Sequence, residues 1–170
     1  MIKGNDKEQA ISVKAIDCEF AFYGPLGFDL GALIANYTIA AARARALGNV
    51  DQMKWLLSLA EQTWEGFETT FRDLWPNRVD KRVFNEEMFE NLMQTWRSDA
   101  QGYAGAKMAR RIVGLAKTSD IETLEPNLRE GAARAVLQMA RLSTKERNLG
   151  KSWKNIAQQF ETIIEKTVTK

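Results

Sequence analysis

At 170 residues, 45% of them hydrophobic, and with a formal net charge of +2, the chain is long enough for one compact domain over residues 1–170 that buries roughly 70% of its unfolded surface. A single cysteine, Cys18, excludes an internal disulfide and any multi-cysteine zinc site, and the lack of histidine excludes His-based hydrolytic triads. No apolar run of about 18 residues occurs and the first residues are polar, so neither a membrane span nor a secretory leader is expected, and a reducing cytoplasm is the default location. The small net charge hides an asymmetry. Residues 1–100 carry 11 basic and 15 acidic groups, residues 101–170 carry 13 and 7. The basic residues are dispersed with no aromatic platform between them, which reads as solvated helix faces rather than a nucleic-acid surface.

In chain order, Met1–Lys3, the turn residues Gly4-Asn5-Asp6 and the β-branched run "ISVKAI" at 11–16 read as a short hairpin. Two strands alone are marginal in water, so the ribbon is expected to need further partners. Nothing after Phe28 reads as a strand. A helical stripe starts at Leu30, with Asp29 as its N-cap, and stops at Gly48-Asn49. Met53, Leu56, Leu57, Ala60, Trp64, Phe67, Phe71 and Leu74 then follow helical spacing until Trp75-Pro76-Asn77 breaks it.

Asn85 caps a third helix, with Phe84 and Phe89 placed as a hydrophobic staple, running to about Arg97. The small and polar run "SDAQGYAG" (98–105) reads as a break before a further helix over 106–117. Ser119 and Glu122 form a capping box for a short turn, Pro126 opens another helix, and Ser152 caps the last one. The Gly-Lys-Ser at 150–152 resembles a phosphate-binding loop, but Lys145 stands where that motif needs glycine, and a helix precedes it instead of a strand. The tryptophans and methionines fall mostly on apolar stripes and read as core.

The chemistry-bearing stretch is "AIDCEFAFYGPLGFDLG", 15–31. Strand alternation puts Asp17 and Glu19 on one side of the backbone about 7 Å apart. Such a pair suits Mg²⁺, which takes one or two protein carboxylates and fills its octahedron with water and phosphate oxygens. A solvent-facing acid pair after an edge strand fits the same tetrapeptide. Asp29 lies beyond a Gly-Pro-Leu-Gly turn that returns the chain toward them.

The run "AIDCEFAFYGPLGFDLGALIAN" resembles the segment that follows the catalytic loop in S-methyl-5-thioribose kinases. These belong to the aminoglycoside- and choline-kinase-like branch of the protein-kinase fold. "TWEGFETTFRDLW" (63–75) and "AGAKMARRIVGLAKTSDIE" (104–122) resemble family segments in the same order, so the similarity covers nearly the whole chain. Cys18 departs from the proline often found between the two acids, which leaves both carboxylates in place.

The resemblance implies a mainly α fold, the helical portion of a kinase-like C-terminal lobe with a short N-terminal β-hairpin. It implies that Asp17 and Glu19 hold Mg²⁺ on the phosphates of ATP, that Asp29 supports the catalytic loop, and that Arg110 and Arg111 lie at the sugar and phosphate end of the cleft. Consecutive helical residues point about 100° apart. Arg111 is therefore expected at the border of the stripe centred on Ile112, and Arg110 facing away from it. The phosphate-covering loop, its lysine and the His-Gly-Asp aspartate would precede this chain, which thus carries no catalytic residue of its own. The expected partners are ATP, a small sugar and a missing N-terminal half in cis or in trans; a homodimer is suggested by the family, and neither nucleic acid nor membrane is expected. The expected function is phosphorylation of the 1-hydroxyl of S-methyl-5-thioribose in methionine salvage, with negligible turnover by this chain alone. The alternative is a non-catalytic helical module, either a pseudogene product or a subunit docking on a separately encoded half.

Overall fold

A computed structural model describes residues 21–168 and, as backbone, Ile2–Gly4 and Ala10–Val13. Those two short strands, β1 and β2, pair antiparallel with Ile2 opposite Val13 and an irregularity between Lys3 and Gly4; Gly4, expected in the turn, belongs to β1, and Asn5 and Asp6 lie outside the described residues. The remainder of the expected strand lies outside the described residues, together with Asp17, Cys18 and Glu19. The other elements among the described residues are helical: α1 (Gly27–Ala46), α2 (Val50–Leu74), a 3-10 turn (Trp75–Asn77), α3 (Glu86–Val113), the short α4 (Ser119–Glu122), α5 (Pro126–Glu146), a second 3-10 turn (Arg147–Leu149) and α6 (Trp153–Val168). The class is mainly α.

Local chemistry sets most boundaries where the residues announce them. Gly48 adopts φ 80° and donates to the Arg45 carbonyl, while Asn49 N–H reaches the Ala44 carbonyl; this double closure satisfies the last carbonyls of α1. The Asn49 side chain then accepts from Gln52 N–H at 3.0 Å and starts α2, so two residues end one helix and begin the next. Asn85 accepts from Met88 N–H at 2.9 Å and caps α3. Phe84 and Phe89 both pack on the Trp75 ring, at 6.3 and 5.1 Å between centroids, so the entry of α3 is pinned through a third ring. Pro126 occupies the first turn of α5, and Ser152 Oγ accepts from Asn155 N–H at the start of α6. The Gly-Lys-Ser run is helix punctuation: Gly150 takes φ 67°, and the Lys151 carbonyl accepts from buried Gln101.

Three expectations are corrected. Asp29 is not the N-cap of α1, which begins at Gly27 with Leu26 as cap; the acid sits in the first turn, where it still complements the positive helix end. Ser119 forms no capping box, since Thr118 is the cap of α4 and makes no side-chain cap bond. The run "SDAQGYAG" is no break either. It lies inside α3, one continuous helix of 28 residues.

Packing explains that last difference. α1 runs through the centre, touching α2, α3, α5 and α6, and its buried Ile34, Ala35, Ile39, Ala41 and Ala42 join one core cluster with Met53, Trp64, Met108, Met139 and Phe160. Where α1 crosses α3 both helices carry small residues. A Cβ on Gly27 would stand 2.7 Å from the Ala100 backbone nitrogen, and one on Gly31 would meet the Ala100 carbonyl and come within 2.9 Å of Tyr103 Cβ. Ala100 and Ala104 face that crossing and are fully buried, and Gly105 makes a similar close approach to Ala140 and Thr144 of α5. The small residues of 98–105 are therefore contact surfaces on two faces of a helix, and tertiary packing overrides the weak helix propensity of Gly102 and Gly105.

Gly31→Ala should destabilise the chain by about 1–3 kcal/mol through overpacking, despite the ~1 kcal/mol gained in helix propensity. Gly66, exposed within α2 with no atom within 4 Å of an added Cβ, should show the opposite sign, about 1 kcal/mol of stabilisation for Gly66→Ala. Urea titrations of the two variants, followed by helical circular dichroism, measure both.

Candidate functional site

The close crossing of α1 and α3 decides which polar side chains meet at this end of the molecule. Asp29, between the two glycines of α1, is exposed; among the described residues its carboxylate accepts no hydrogen bond and joins no ion pair. Rings secure the segment leading into it. Phe22 meets Phe28 edge-on at 5.5 Å, and Phe28 meets Tyr103 of α3 at 5.3 Å. Phe22 nevertheless remains 63% exposed and Tyr23 fully exposed, an apolar surface of the kind that marks contact with further chain or ligand.

One turn beyond Tyr103 stands Lys107, and three and four residues further on are Arg110 and Arg111, the neighbours that helical spacing places beside it. Burial lowers the Lys107 ammonium below its ordinary range, the positive charges of Arg111 and Arg110 lower it further, and Asp29 pulls the other way. The structure thus brings Asp29 into the same electrostatic neighbourhood as the two arginines singled out in the sequence, and adds a lysine that sequence reasoning missed. The signal for it was present: "KMARR" places three cations at i, i+3 and i+4 on a helix.

The two arginines differ as their spacing implies. Arg110 is exposed and pairs with nothing among the described residues, whereas half-buried Arg111 donates to the carbonyls of Ala116 and Lys117 at 3.2 and 3.3 Å and fixes the chain as it leaves α3. Lys117 in turn donates to the Ile112 carbonyl. All of these cations also suit the negative end of α3, so part of the cluster serves the helix terminus. Its excess over that need, and the unpaired acid beside it, make this the candidate site. Asp17 and Glu19 lie outside the described residues. Among the described residues no three acidic or thiol side chains lie together as a metal site, and no helix is long and apolar enough to cross a membrane.

This mainly α body, with a carboxylate in the first turn of its central helix facing a basic helix end, has the character of the C-terminal lobe portion of a kinase-like fold. No protein-family model matches the chain. It is 35% identical to the methylthioribose kinase of Geobacillus sp. (strain WCH70) over 158 residues, 91% of this chain and 38% of that protein. It is 33% identical to methylthioribose kinase 2 of Oryza sativa subsp. japonica over 89% of the chain, and 34% identical to the methylthioribose kinase of Escherichia coli O45:K1 (strain S88 / ExPEC) over 75%. Over this stretch the chain belongs to the methylthioribose kinase family. It spans a little over a third of the length of the curated relatives it matches.

Lowered below the unfolded value, the Lys107 pKa makes the folded state bind fewer protons than the unfolded one between the two values, so stability should rise with pH across that window. Lys107→Met should consequently be more stable than the parent at neutral pH, with the gap closing as the solution becomes alkaline. Denaturant titrations at stepped pH test the sign. In lysine-labelled protein, NMR titration should place the Lys107 pKa higher in Arg111→Gln and lower in Asp29→Asn.

Proposed function

We propose that this chain is the metal- and sugar-side part, from the C-terminal lobe, of an ATP-dependent kinase that phosphorylates the 1-hydroxyl of S-methyl-5-thioribose in methionine salvage. The observation that carries the reading is about one-third identity to methylthioribose kinases of bacteria and a plant across roughly nine-tenths of the chain. In this reading Asp17 and Glu19 hold Mg²⁺ on the ATP phosphates, a donor set of two carboxylates that suits a hard cation whose remaining positions go to water and phosphate. The ion would supply charge neutralisation on the transferring phosphoryl group. Asp29 would accept hydrogen bonds from catalytic-loop backbone; its exposed carboxylate, which accepts no hydrogen bond among the described residues, supports that role. Arg110 and Arg111 would attract the anionic end of the reacting pair, Arg110 by direct contact and Arg111 by field, because its guanidinium is engaged on backbone carbonyls.

Phosphoryl transfer is mostly positioning and electrostatic stabilisation. The 170 residues would provide the floor of the cleft, and the nucleotide-covering loop, its lysine and the aspartate that takes the hydroxyl proton would come from a further segment in cis or in trans. The chain alone should therefore give no measurable turnover of methylthioribose with ATP. Substituted for the matching segment of the Geobacillus kinase, it should restore ATP-dependent phosphorylation. In that chimera Asp17→Ala or Glu19→Ala should lower kcat by about a hundredfold or more, the several kcal/mol expected of lost metal-ion stabilisation. Normal kcat in a chimera with both acids replaced would overturn the assignment.

A further inference from the structure

A groove of about 640 Å³ runs between α3 and α5, the size range of small-molecule sites. Its floor is made of small residues, Gly102, Gly105, Ala106, Ala109 and Ala140, with Tyr103 and Leu137 at the sides. Arg141, Lys145 and Arg147 line it from the opposite helix and the turn that follows. Among the described residues none of these three cations forms an ion pair or hydrogen bond, although many other basic side chains here are paired. Among the described residues Asp99 is the single carboxylate lining the groove, and it and Arg147 also line an adjoining cavity of about 390 Å³.

The seat of Arg147 is specific. A Cβ on Gly102 would stand 3.1 Å from its Nη1 and 3.3 Å from its Cδ, so the absent side chain at 102 lets the guanidinium lie against α3. Three like charges converging on one concavity repel one another, and a dianion that accepts from two guanidinium groups and an ammonium offsets that repulsion with charge-assisted hydrogen bonds. The methyl and glycine floor gives a bare ion nothing, but it suits the carbon skeleton of an organic ester.

We propose that this groove binds a phosphorylated small molecule, its phosphate held by Arg141, Lys145 and Arg147 and its organic part resting on the small-residue floor. None of Asp29, Arg110 and Arg111 lines it, so the proposal does not depend on the roles proposed for them.

The test is NMR of the 170-residue chain with labelled alanine methyl groups, titrated separately with ribose 5-phosphate, AMP and inorganic phosphate. The methyls of Ala106, Ala109 and Ala140 should shift saturably with ribose 5-phosphate, AMP or both; the one that binds tighter tells a sugar phosphate from a nucleotide. Inorganic phosphate should bind at least about tenfold more weakly. Arg141→Met and Arg147→Met, both at exposed positions, should each weaken binding about tenfold, the value of one charged hydrogen bond. Gly102→Ala, which pushes Arg147 from its seat, should weaken it as well while leaving the helical circular dichroism unchanged. No shift with either ester, equal affinity for inorganic phosphate, or undiminished binding in the Arg141→Met/Arg147→Met double variant would overturn the proposal.

Discussion

The close approach of α1 to α3 is the contact on which the rest of the arrangement depends. Gly27 and Gly31 of the central helix lie against Ala100 and Ala104 with no room for a further carbon atom on the glycines. Small residues on both helices let the backbones approach closely, and that approach fixes the rotation of each helix about its own axis. Once it is fixed, Asp29 and the cations at 107, 110 and 111 must share one region, because the helical repeat leaves their positions no freedom. The same logic recurs on another face of α3, where Gly105 meets Ala140 and Thr144 of α5 and sets the floor of the groove between those helices. Two crossings on one long helix thus set both the charged cluster around Lys107 and the groove beside α5.

Much of the helical plan was legible because it was written locally. Gly48-Asn49 marks the end of α1, and Asn85, Pro126 and Ser152 mark helix starts through their own local chemistry, each at the position where it acts in the structure; that Asn49 also caps α2 was not read from the sequence. The misreadings have the converse cause. Serine, aspartate and two glycines at 98–105 look like a break when judged by propensity, yet the small residues there answer the surfaces of neighbouring helices, which a single-sequence pattern does not contain. Asp29 fails as a cap for a related reason, since Gly27 packs against α3 and extends the helix a turn before the residue best suited to cap it. Lys107 was overlooked because it sits beside an arginine pair that drew attention alone, and its importance depends on the approach of Asp29 from 78 residues earlier in the chain.

The family relation and the physical reading meet unevenly along the chain. The segment between the ribbon and α1 carries the residues with the most specific chemistry, the acids at 17 and 19, whereas the described body carries the supports: a helix that presents Asp29, a basic helix end, and rings that tie Phe28 to Tyr103. In the proposed function that division would place the metal ligands on the segment before α1 and leave the helical body as a scaffold that holds charges at fixed spacing without contributing a reacting atom.

The excess positive charge of the second half of the chain is not spread evenly over solvated faces. Several of its cations are consumed as ties: Arg129 donates to the Leu124 carbonyl, Arg134 pairs with Glu130, Lys151 with Glu146, and Arg111 closes the turn after α3. Such ties are local and contribute little each at the surface. Lys107 and Arg110 toward the end of α3 have no such tie among the described residues, nor have Arg141 and Lys145 of α5 and Arg147 of the turn after it, which line the groove between α3 and α5. Burial, with the charges of Arg111 and Arg110 adding to it, holds the Lys107 ammonium below its ordinary range, while Asp29 acts against the shift. Beside α5 the three groove cations face only Asp99 among the described acidic residues lining the groove, and the repulsion among them is what the phosphate of the proposed ligand would offset.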